Sequence, residues 1–150
     1  MLKRMRGISL FLVVLLGLYS YFHVSGSEIQ GVRDITEGCT VSVAHCPWME
    51  WDNGTEYVLD GSQIQGLREL LMDSSFTRNP AAFVTGQFSE EYRIMVEFDD
   101  SRHPLIIYCI DDKYVTVLND SDQFGGKHLN INNPNWKKAL DELLHTPASI

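Results

Sequence analysis

His45 and Cys46 stand side by side, and a thiol next to an imidazole is the pairing from which nucleophilic catalysis is commonly built. On a strand, however, adjacent residues point to opposite faces, so these two cannot activate each other. Cys46 would need His103 or His128, carried to it by folding. A small envelope enzyme using such a Cys/His site is therefore the alternative to a binding function. No metal or cofactor is expected. Asp120, Asp122 and Gly125 are spaced like the start of a calcium loop, yet Phe124 and Ile131 occupy positions where that loop needs oxygen ligands. His45, His103, His128 and His145 are neither four residues apart nor beside a cysteine pair at finger spacing. Phosphate-cradling glycine loops, nucleophile elbows and H-E-x-x-H are absent from the sequence.

Aromatic side chains suggest contact rather than catalysis. Trp48 and Trp51 would face opposite sides of a regular strand, which leaves one indole exposed beside Tyr57. The stretch from Asn119 to Asn132 has no usable period and is rich in turn formers, and loops of that length in small domains often bind. Trp48, Trp51, Tyr57, Phe124, Lys127 and His128 are accordingly the candidate binding residues.

The compartment is set by Ile8 to Val24, seventeen residues with no charge except on a protonated His23. Lys3, Arg4 and Arg6 precede the run, and Ser25, Gly26 and Ser27 follow it, the order of an export signal. At 1.5 Å per residue a helix of this length reaches roughly 26 Å, near the short end of a membrane span. Tyr19, Tyr21 and Phe22 would lie at the interface, which favours an uncleaved anchor, whereas the small residues at 25–27 suit cleavage and secretion. The cations place the amino terminus in the cytoplasm and the remainder outside. Residues 1–26 read as signal or anchor, 27–38 as a stalk, and 39–150 as one extracytoplasmic domain.

Past Gly26 the chain carries 9 Lys and Arg against 20 Asp and Glu, a formal charge of −11. Such a surface repels phosphate backbones, so nucleic acid is not an expected partner. Cys39, Cys46 and Cys109 allow at most one internal disulfide, with the pairing open.

The elements that must position these residues follow from periodicity. Thr40 to Trp51 and Thr55 to Leu59 read as a hairpin closed by Asn53-Gly54 in a two-residue turn. Asp60 with Gln63, and Ser62 with Gln65, form overlapping capping boxes for a helix whose stripe is Ile64, Leu67, Leu70 and Leu71. Ser74 to Pro80 ends it. Tyr92 to Phe98 alternates, Leu105 to Ile110 is continuously apolar, and Tyr114 to Leu118 returns, a three-strand meander. Asn133 would cap a last helix with Pro134 at its first position and Trp136, Leu140, Leu143 and Leu144 inward. The expected fold is α+β, an antiparallel sheet of about five strands ordered β-β-α-β-β-β-α with two helices on one face.

Lys3-Arg4-Met5-Arg6, the apolar run, Asp60-Gly61-Ser62-Gln63-Ile64 and Asp111-Asp112-Lys113-Tyr114 together resemble small signal-anchored extracytoplasmic proteins of Gram-positive bacteria, domains of unknown function. The resemblance implies an exported α+β module and supplies no site. The resulting expectation is a non-catalytic domain, tethered to the cell membrane or secreted, that binds a protein, peptide or envelope component. A secreted inhibitor of an extracellular enzyme is a further alternative.

Overall fold

The computed structural model describes residues 2–79, 88–100, 102–118 and 127–145. It is an α+β fold with a single antiparallel sheet of eight strands and three α-helices. Helix α1 covers Leu2–Phe22, and strand β1, His23–Ser25, follows it without a linker. Two 3₁₀ turns, Gly26–Glu28 and Val32–Asp34, lead to β2 (Thr40–Pro47) and β3 (Thr55–Val58). Helix α2 (Gly61–Asp73), β4 (Ser75–Arg78), β5 (Glu90–Glu97), β6 (Leu105–Ile110), β7 (Tyr114–Leu118), β8 (Lys127–Ile131) and α3 (Trp136–His145) complete the order. Across the sheet the strands run β1-β4-β8-β7-β6-β5-β2-β3.

The alternation that identified the meander also selects the core. Tyr92, Ile94 and Val96 pair across β5–β6 with Cys109, Ile107 and Leu105, and the row continues through Val115, Val117 and Leu129, all buried. Val41 and Val43 extend it on the other side. Ile64, Leu67 and Leu71 of α2 and Trp136, Leu140 and Leu144 of α3 join the same apolar cluster. Burying a side chain of this size contributes about 1.5–3 kcal/mol each before entropy is subtracted. At Gly66 the two helices come so close that a Cβ would lie 2.6 Å from Leu143 Cδ1, so a larger residue there would displace the end of that side chain.

Eight strands replace the expected five because three short ones carry no period of their own. His23–Ser25 was part of the apolar run, Ser75–Arg78 was read as the end of a helix, and Lys127–Ile131 lay inside the supposed loop. Each has three to five residues and gains its place by pairing: β1 on β4, β4 on β8, and β8 on β7.

Residues 27–38 also depart from the stalk reading. Ile29, Val32 and Ile35 are buried in the core, and Asp34 meets Arg102 at 2.7 Å. The isolated aliphatics of that segment lack a helical or strand period because the backbone turns between each of them. The β2–β3 hairpin forms, with Ser42 opposite Val58 and His45 opposite Thr55. Its connection is longer than a two-residue turn: Met49 takes φ 63°, Trp51–Asn53 make a 3₁₀ turn, and Gly54 keeps φ −82°. Asn53 spends its side chain on Glu50, at 2.9 Å, and Gly54 is needed for close approach to Cys46 and the His45 carbonyl rather than for positive φ.

The Asp60–Gln63 capping box is present in both directions, at 2.9 and 3.1 Å, whereas Ser62 donates to Asp60 instead of forming the second box. Those donors hold the Asp60 carboxyl below its ordinary value. Helix α3 starts at Trp136, later than expected, because Asn133 Oδ1 accepts the Asn135 amide in a local turn. Large apolar side chains of α1 from Phe11 to Phe22 are exposed. Among the described residues no helix is long and apolar enough to cross a membrane.

Candidate functional site

The candidate binding residues do not assemble. Strand β2 ends at Pro47, so its alternation never reaches Trp48, whose indole packs edge-on against Phe88, which in turn meets Tyr114. Trp51 lies in the 3₁₀ turn that follows. Tyr57, on the edge strand, contacts His145 at the far end of α3. Phe124 lies outside the described residues, as do Asp120, Asp122 and Gly125. Lys127 opens β8, and His128 beside it sits with Nδ1 3.0 Å from the Thr116 hydroxyl.

His128 nevertheless lines a cleft of about 240 Å³. It opens where α1 meets the sheet. Val24, Ile29, Val117 and Leu129 supply apolar walls, and Tyr21 and Phe22 come from the helix end. Arg78 and Glu28 are the charged residues at its rim. The Glu28 carboxylate is turned back onto the Ser25 amide, at 3.3 Å, closing a capping box for the first 3₁₀ turn. Arg78 lies with its guanidinium carbon 5.2 Å from the centre of the Tyr21 ring, and among the described residues no carboxylate pairs with it. A guanidinium held by an aromatic face keeps its five N–H donors for an acceptor from outside.

A second polar cluster joins α3 to the sheet. His45 Nε2 donates to Glu90 at 2.8 Å, Lys137 reaches Glu90 at 3.3 Å and Asp141 at 2.9 Å, and Tyr92 donates its hydroxyl to Asp141. The His45 imidazole stacks on Tyr92 with centroids 4.2 Å apart. Burial first, then the hydrogen bond to Asp141, push the Tyr92 hydroxyl far above its usual range. Burial alone would raise Asp141, but hydrogen bonds from Tyr92 and Lys137 outweigh it and hold the carboxyl down. Lys137 is raised by the same bond to Asp141 and by Glu90. Each acid here already faces a donor, so the cluster fastens α3 to the sheet. Sequence reasoning missed it, because positions 45, 90, 92, 137 and 141 come from three separate elements. Of its contacts only that of Lys137 with Asp141, at i,i+4 spacing, lies within a single element.

The thiols are not arranged for chemistry. Cys39, Cys46 and Cys109 are all free and buried, so the one disulfide that three cysteines would allow is not formed in this structure. Cys46 pairs in register with Glu91 on the face away from the helices, while Cys109 pairs with Tyr92 on the core face. Cys39 is held by Thr36 and the Asp34 carbonyl. Burial and the nearby Glu91 carboxylate raise the Cys46 thiol, the opposite of what a nucleophile requires. Burial pushes Cys109 up further still. Glu91, itself almost fully enclosed, is raised by burial, with Arg93 offsetting part of it. Among the described residues no three His, Cys, Asp or Glu side chains gather closely enough to hold a metal ion.

Comparison with known proteins gives no relative: no family model, curated protein or solved structure matches this chain.

Proposed function

We propose that the chain is a non-catalytic binding domain tethered by α1 to the outer side of a membrane, and that it takes an envelope component in the cleft beside Arg78. The observation that carries this reading is the direct passage from Phe22 into β1. An exposed apolar helix joined to a folded domain without a linker places whatever lies at the junction at the bilayer surface, and the cleft lies there. The crossing itself is read from the sequence, where Lys3, Arg4 and Arg6 precede the apolar run 8–24 and favour a cytoplasmic amino terminus and an external domain, since no helix among the described residues is by itself long and apolar enough to span. The raised Cys46 thiol weighs against the Cys/His enzyme, and the absence of a stalk weighs against a domain designed for release.

Flotation tests the tether. The full chain mixed with phosphatidylcholine vesicles rises through a density gradient in high salt, whereas a chain lacking residues 2–22 stays at the bottom. A full chain that remains at the bottom contradicts the reading.

A further inference from the structure

We infer that the cleft between α1 and the β1–β4–β8 edge binds an anionic lipid of the bilayer that holds the helix, with the lipid phosphate on Arg78 and acyl chain along Val24, Ile29, Val117 and Leu129. The inference rests on the tethered reading above and names the ligand of the same site.

Three features of the cleft point to this occupant. Four of its lining side chains, Val24, Ile29, Val117 and Leu129, belong to the apolar core cluster, so a hydrocarbon segment finds apolar surface there beside the polar groups. Its cation is an arginine, whose planar fork matches two phosphate oxygens at once. The domain is acidic overall, and Arg78, which among the described residues has an aromatic face and no carboxylate as its partner, is a cation left for an anion to meet. Glu28, the acid at the rim, is engaged with the Ser25 amide, which draws its charge toward the backbone rather than toward Arg78. Asn79 and Gln30 are further polar residues of the lining.

The mouth also faces the right way. Tyr21 and Phe22 are the last residues of α1 and form one wall, so a lipid beside the helix enters without leaving the interface. Aromatic rings at that depth are the usual neighbours of headgroups.

The test is retention of lipid by the full-length chain in nanodiscs of equal parts phosphatidylcholine and phosphatidylglycerol, followed by gentle detergent transfer and native mass spectrometry. One phosphatidylglycerol per chain is expected to survive transfer, with at least a tenfold excess over phosphatidylcholine. Arg78→Gln is expected to reduce that retention at least tenfold, while Arg78→Lys, which keeps the charge but not the fork, falls between them. Arg78 is exposed, so circular dichroism of the variants is expected to match the parent. Equal retention of both lipids by the parent, or unchanged retention in Arg78→Gln, overturns the inference. Retention of inorganic phosphate alone, with neither lipid, also overturns it, because the apolar walls would then play no part. Flotation of the same samples separates the two failures: chains that float but hold no phosphatidylglycerol leave the tether standing, and chains that do not float remove both.

Discussion

Two polar clusters of this fold are put to opposite ends. Around Tyr92, Glu90 and Asp141 share Lys137 across β5 and α3, and each takes a further donor, His45 for Glu90 and the Tyr92 hydroxyl for Asp141. At the cleft, Arg78 lies against a ring instead of a carboxylate, and apolar walls replace the missing partners. A closed network holds elements together, whereas an unmatched guanidinium beside exposed hydrocarbon is where binding energy remains to be gained. The difference predicts that damage to the first cluster is felt as lost stability and damage to the second as lost ligand.

The largest effect is expected at the closed cluster. Tyr92 is almost fully buried, so Tyr92→Ala removes both its packing and its hold on Asp141, and should destabilise the fold by about 3–5 kcal/mol in denaturant titration. Next comes the junction itself. Gly26 is buried and donates to the Ser74 carbonyl at 2.8 Å, and a Cβ there would collide with the Leu71 carbonyl. Gly26→Ala should therefore cost about 1–3 kcal/mol and loosen β1, read as faster amide exchange at Val24 and Phe76.

The pH dependence of the closed cluster has a definite sign. Asp141 is held below its ordinary 3.8 in the fold, so its contribution is present above that value and is lost as pH falls through the lower folded one. Asp141→Asn should accordingly flatten the acid limb of the stability profile, and a profile unchanged from the parent would remove the network's electrostatic role. The smallest effect on stability belongs to the open cluster. Arg78→Gln should shift the unfolding midpoint by no more than about 0.5 kcal/mol equivalent, despite its expected loss of lipid. A large destabilisation would make Arg78 a structural residue and erase the contrast.

Much of the centre of the fold was readable in the sequence, and for a physical reason. The β5–β6–β7 meander buries one face along its whole length, so Tyr92, Ile94 and Val96 declare their period without help. The Asp60–Gln63 box and the stripes of α2 and α3 are equally local. The short strands β1, β4 and β8 were not readable because their partners lie elsewhere in the chain, and a three-residue strand cannot display alternation. Val24 looked like the end of an apolar run, although it is buried opposite Phe76. The same holds for the candidate site. His128 was singled out for its place in a supposed loop, but Arg78 carried no signal, since its role depends on Tyr21 and on a wall built from β7 and β8. Of the hairpin aromatics, Trp48 packs on Phe88, a contact that sequence spacing could not show.

The central claim is that the apolar helix and the domain are one piece, because β1 and Gly26 are structural parts that a cut at residues 25–27 would remove. Intact-mass measurement of the protein recovered from the membrane fraction, alkylated under denaturing conditions without reductant, tests it most directly. The account predicts an unshortened chain of 17.1 kDa carrying three alkyl groups. A product beginning near Ser27, folded and released from the membrane, would contradict it.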